Sequence, residues 1–158
     1  MEDLWLSTLL VVLRELHFYP TKTNYIVLTK YLTVEQYTLL HDLEKRLPEL
    51  ECDGLTLVLS QWLYQVGIPH VRCSGFFMQK SSQRHLPHWW IEFPDGVQMC
   101  FRSRMWFGKD APHGLFILPD EHIEYDCFQK HGPVESSNLA QILFGLPSFF
   151  PTLPTKSA

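Results

Sequence analysis

Pro94-Asp95-Gly96 separates two aromatic-rich segments, 88–93 (HWWIEF) and 97–107 (VQMCFRSRMWF), and constrains the fold more tightly than any other short stretch. Proline presets φ for the first turn position, aspartate suits the second, and glycine accepts the positive φ that follows. The three residues therefore suit a type I turn closed by a glycine bulge. A turn of this kind fixes an antiparallel register: Phe93 opposite Val97, Trp90 opposite Cys100 and His88 opposite Arg102. His88, Trp90, Cys100 and Arg102 are then expected on one side of the hairpin.

Upstream, the period of the apolar residues changes. Leu55, Leu59, Trp62, Leu63 and Val66 recur at three- and four-residue intervals, which predicts a helix starting at Cys52, with Gly67 as its C′ residue and Pro69 beyond. Thr33 and Gln36 form a T-x-x-Q capping box, predicting a second helix that Pro48 ends. A further helix is expected over 3–17, strands over 70–79 and 115–118, polar loops over 81–87 and 108–114, and a short helix over 136–145. The segment "LPSFFPTLPTKSA" is punctuated by proline and reads as irregular. Helices first and strands after give an α+β fold.

With 158 residues and 46% hydrophobic content, the chain suits one domain with its own core. Its net charge is −4, and its Lys and Arg are scattered singly along the chain. Only Arg84, Arg102 and Arg104 form a small local patch, so nucleic acid is not an expected partner. The apolar run near the N-terminus begins with Glu2 and Asp3, is closed by Arg14 and Glu15, and is too short to cross a bilayer. No membrane association is expected. The four cysteines, at 52, 73, 100 and 127, then read as reduced thiols of a cytoplasmic protein.

Cys52 sits where unpaired N–H groups and the positive end of a helix dipole favour a thiolate, the setting of a nucleophile. Its spacing from Leu55 and Leu59 equally suits a buried structural cysteine. His88, opening the next-but-one strand, is placed to act as general base and acid for such a thiol. The cluster Phe76, Phe77, Trp89, Trp90, Phe101, Trp106 and Phe107 reads as core around this region.

These residues also carry a resemblance. "CDGLTLVLSQWLYQVGIPHVRCSGFF" is similar to the nucleophile helix and following strand of the transglutaminase-like superfamily, with Gly67-Ile68-Pro69 and Ser74-Gly75 at the family's distances from Cys52. "HWWIEFPDG" resembles its histidine strand and hairpin. The similarity covers roughly 50–107 and implies a papain-like cysteine peptidase core (51–107), preceded by a helical part (1–50) and followed by an extension (108–158). It implies Cys52 as nucleophile and His88 as its partner. The position of the family's orienting aspartate is held by Cys100, a neutral thiol that balances an imidazolium poorly.

Three readings follow. In the first, which the retention of both Cys52 and His88 favours, the chain is an acyl-transfer enzyme acting through a thioester in peptide or isopeptide hydrolysis, deamidation or transamidation. In the second it is a pseudoenzyme that binds a protein, with Arg102, Arg104, Trp89 and Trp106 suited to the interface; by analogy of fold, a bacterial or phage accessory factor would fit. In the third, His70, Cys73, His85 and His88 bind zinc, which the placement of His70 and Cys73 on opposite faces of one strand opposes. No cofactor or metal is expected, and the partner in either leading reading is a protein.

Overall fold

A computed structural model describes residues 30–109, 111–117 and 123–135. The helices expected over 3–17 and 136–145 lie outside these residues. The described chain is α+β: helices α1 (Val34–Arg46) and α2 (Cys52–Gln65), strands β1 (Val71–Gln79), β2 (Arg84–Glu92) and β3 (Val97–Cys100), a short helix α3 (Ser103–Phe107), then β4 (Gly114–Ile117) and β5 (Ile123–His131). The strands form one antiparallel sheet in the order β4-β3-β2-β1-β5. Among the described residues no helix is long and apolar enough to cross a membrane.

Local chemistry sets the boundaries. The capping box forms as expected, with the Thr33 N–H donating to Gln36 Oε1 (2.8 Å) and the Gln36 N–H to Thr33 Oγ1 (3.1 Å). The end of α2 is a Schellman motif: Ile68 N–H reaches Leu63 O, Gly67 N–H reaches Tyr64 O, and Gly67 takes a φ of +72°. At the 93–97 turn, Phe93 N–H bonds Val97 O at 2.8 Å and Gly96 has a φ of +80°. The resulting register pairs Ile91 with Met99 and Glu92 with Gln98, the same alignment that sets Trp90 opposite Cys100.

The strand expected over 97–107 is corrected. It stops at Cys100, and Ser103–Phe107 form a helical turn instead. Arg102 is the cause. Its guanidinium donates to the Leu50, Leu47 and Glu44 carbonyls at 2.7, 2.7 and 3.1 Å and pairs with the Glu44 carboxylate, so it closes the end of α1 instead of standing beside His88. The loop expected over 81–87 is also shorter, since β2 already begins at Arg84. Strand β5 was not anticipated. It pairs with β1 through a bulge at Ser74/Gly75, where a Cβ on Gly75 would lie 1.9 Å from the Asp126 carbonyl oxygen, so only glycine admits this approach.

The sheet carries apolar residues on both faces. On one, Ile91, Phe93, Val97, Met99 and Leu115 pack with Leu55, Val58, Leu59 and Leu63 of α2 and with Tyr37 and Leu40 of α1. The other face carries Cys73, Trp90 and Cys100, bordered by Phe116, Tyr125 and Cys127. Although β4 and β5 are the two ends of the strand order, the Phe116 and Tyr125 rings lie 5.3 Å apart. The sheet thus curls until its edges meet over this second face.

Candidate functional site

His88 occupies the enclosed face. Strand alternation puts it with Trp90, and the two rings stack at 6.3 Å with 16° between planes. Phe77 (5.2 Å) and Tyr125 (6.1 Å) complete the surround, leaving the imidazole 1% exposed. Its Nε2 lies 3.0 Å from Cys100 Sγ. The contact joins the two residues that the hairpin register set diagonal to each other, because Cys100 faces Trp90 across β2 and β3 and His88 is the next residue along on that side.

Burial pushes the Cys100 thiol up, and the backbone N–H groups of Arg102 and Ser103, which turn toward the sulfur, offset this only in part. Cys100 is therefore protonated at neutral pH. The other ring nitrogen of His88, Nδ1, is buried and has no hydrogen-bond partner among the described residues. Such a group calls for an explanation, since buried polar atoms are nearly always satisfied.

Cys52 is a free, half-buried thiol at the first turn of α2. Its helix packs on the opposite face of the sheet from His88, and the two residues share no hydrogen bond: Nε2 is engaged by Cys100, and Nδ1 by nothing among the described residues. The structure thus brings together two of the three expected site residues, His88 and Cys100, and leaves Cys52 outside that contact. Of the side chains suited to an interface, Arg102 is buried, Trp89 stacks on His131 at 4.8 Å, and Arg104 donates to the Ala111 carbonyl. Trp106 is 39% exposed beside Met105 at 53%.

The four zinc-spaced residues are held apart by separate partners. His70 bonds Ser60 and the Ile68 carbonyl, Cys73 donates to Glu92 at 3.6 Å, His85 is exposed with its edge toward Phe76, and His88 meets Cys100. The first of these contacts was not read from the sequence. His70 Nδ1–H donates to Ile68 O (2.8 Å), which leaves Nε2 to accept from the Ser60 hydroxyl (2.7 Å), and Ser60 Oγ accepts in turn from Val134 N–H (3.1 Å). Ser60 is fully buried and spent on both sides, so this serine–histidine pair clasps α2 to the segment after β5 and is no nucleophile. Ser60 within an apolar helix face and a histidine just after Gly-Ile-Pro were the available signals.

Comparison with protein families, with characterised proteins and with solved structures gives no match to this chain.

Proposed function

We propose that the chain is a transglutaminase-like, papain-type domain in which Cys52 and His88 do not act together in acyl transfer and which acts by binding a protein. The observation that carries this reading is the 3.0 Å contact between His88 Nε2 and the buried Cys100 thiol, whose pKa burial pushes up, at the position of the family's aspartate. A carboxylate there accepts a hydrogen bond from Nε2–H and leaves Nδ1 with a free lone pair. A neutral thiol that already receives backbone N–H groups has a proton to give, and Nε2 is the acceptor it faces. Donation from Sγ–H puts the ring proton on Nδ1, where it is useless to a base. Losing the orienting carboxylate costs about four powers of ten in the serine-protease triad for the same reason, a wrong tautomer. The exposed Met105–Trp106 pair on α3 offers residue types favoured at protein contacts.

The test is residue-resolved alkylation of the intact protein across pH, read by peptide mass spectrometry. Cys52 should react at the same rate in the wild type and in His88→Ala, with circular dichroism confirming the fold of the variant. A several-fold slowing of Cys52 on losing His88 would restore the enzyme reading.

A further inference from the structure

Across the sheet from the His88–Cys100 contact, on the face where Phe101 packs, α1 and the loop before β4 bring a second group of chemically active side chains together. His41 and Glu44 are three residues apart in α1 and therefore share a helix face. His113 reaches them from the segment between α3 and β4. One ligand atom from each, an imidazole nitrogen from either histidine and a carboxylate oxygen, lie within 4.8 Å of one another. We propose that His41, Glu44 and His113 form a binding site for a divalent transition metal, with zinc the first candidate.

Two imidazoles and one carboxylate are the donor set that zinc uses in open, three-ligand sites, where the fourth position goes to water or another small ligand. Ideal zinc–ligand bonds of about 2.0–2.2 Å require the donors to close from their present separation by about an ångström, within reach of a change in side-chain torsion. The surroundings hold the donors in place. Phe101 lies edge-on to both rings, 6.4 Å from His41 and 5.3 Å from His113, and the two imidazoles meet at 89° with centroids 6.0 Å apart. Perpendicular rings aim their nitrogens at a common point more readily than stacked ones.

The carboxylate is oriented too. Arg102 donates to Glu44 Oε1 while binding the Glu44, Leu47 and Leu50 carbonyls, which fixes the carboxylate beside the two imidazoles. Outer partners that hold a ligating carboxylate are a regular part of metal sites. The Arg102 cation opposes a nearby dication, but Glu44 and the carbonyl end of α1 offset its charge. Affinity below that of a closed four-ligand site is therefore expected. His113 is fixed through its neighbour: Gly114 has a φ of +83°, and a Cβ there would sit 2.0 Å from the Tyr37 hydroxyl. The loop thus passes α1 at a distance that only glycine permits.

The experiment uses the full-length, tag-free protein, stripped with a chelator and titrated with zinc against a chromogenic competitor. One equivalent should bind. Removing outer-shell partners alone costs about 10–100-fold in metal affinity, so His113→Gln and His41→Gln should each weaken binding by at least that much, while Cys52→Ala leaves it unchanged. Cobalt in place of zinc should give visible d–d bands and no thiolate-to-metal charge transfer. Should a variant misfold, the wild type still decides: on adding zinc, the imidazole resonances of His41 and His113 should shift, and those of His70, His85 and His88 should not. Absence of stoichiometric zinc uptake, a thiolate band, undiminished binding by both variants, or shifts confined to the other histidines would each overturn the proposal.

Discussion

One sulfur atom in place of a carboxylate decides what His88 can do. Cys100 is enclosed by Trp90, Phe116 and Tyr125, and burial holds its proton on. Cys100→Asp tests this position directly. The new carboxylate would accept from His88 Nε2–H, release Nδ1 as a base and raise the His88 pKa by placing an anion beside the imidazolium. The expected outcome is a higher NMR-titrated pKa for His88 in a folded variant. A second gain, in Cys52 alkylation rate, should appear only to the extent that Cys52 reaches Nδ1. A folded variant in which the His88 pKa stays put would mean that residue 100 is not the partner of the ring. The side on which these residues stand was legible in the sequence, because a three-residue turn with glycine last leaves one register. That Arg102 would leave the strand was not, because its partners, Glu44, Leu47 and Leu50, are some fifty residues away.

Helix α2 carries a polar anchor within its buried face. Ser60 donates to His70 and accepts from Val134, joining the helix to the residue before β1 and the segment after β5, at one end of the β1–β5 ladder. Ser60→Ala leaves His70 Nε2 and the Val134 N–H without a partner in a buried setting, which should cost about 1–3 kcal/mol in denaturant unfolding. The same clasp is pH-sensitive. Burial lowers the His70 pKa, Arg72 lowers it further, and the bonds to Ile68 and Ser60 oppose the shift without reversing it. The folded state therefore favours neutral His70, and below the ordinary histidine value the unfolded chain binds the extra proton. This contribution to stability is complete above a pH of about 6.5 and is lost as pH falls through that value toward the lowered folded one. In His70→Gln the loss of stability on acidification across that window should be smaller than in the wild type; an unchanged loss would remove His70 from the explanation. Helices α1 and α2 were readable from spacing and caps alone, whereas α3 was read as the end of a strand. Strand β5 shows why other elements were not: Ile123, Tyr125 and Cys127 alternate with Glu124 and Asp126, but only pairing with β1, at a place where Gly75 lets the backbones close, makes that pattern a strand.

At the scale of the whole molecule, the order β4-β3-β2-β1-β5 and the curl that brings Phe116 to Tyr125 put the hairpin's chemistry inside the sheet and α2 outside it. The sequence could show which residues share a face, since strand alternation is local. It could not show which face the helix would cover, because both faces of β2 are apolar: Trp90 on one, Ile91 and Phe93 on the other. The Cys52–His88 relation hangs on that second choice, and the role proposed for the molecule hangs on where one proton rests. The most direct measurement is the imidazole nitrogen spectrum of His88 in the ¹⁵N-labelled protein at neutral pH, with the signal assigned by its absence in His88→Ala. A neutral ring protonated at Nδ1, with Nε2 accepting from Cys100, is the expected result. A ring protonated at Nε2, with Nδ1 bare, would contradict the binding-module reading and return His88 to service as a base.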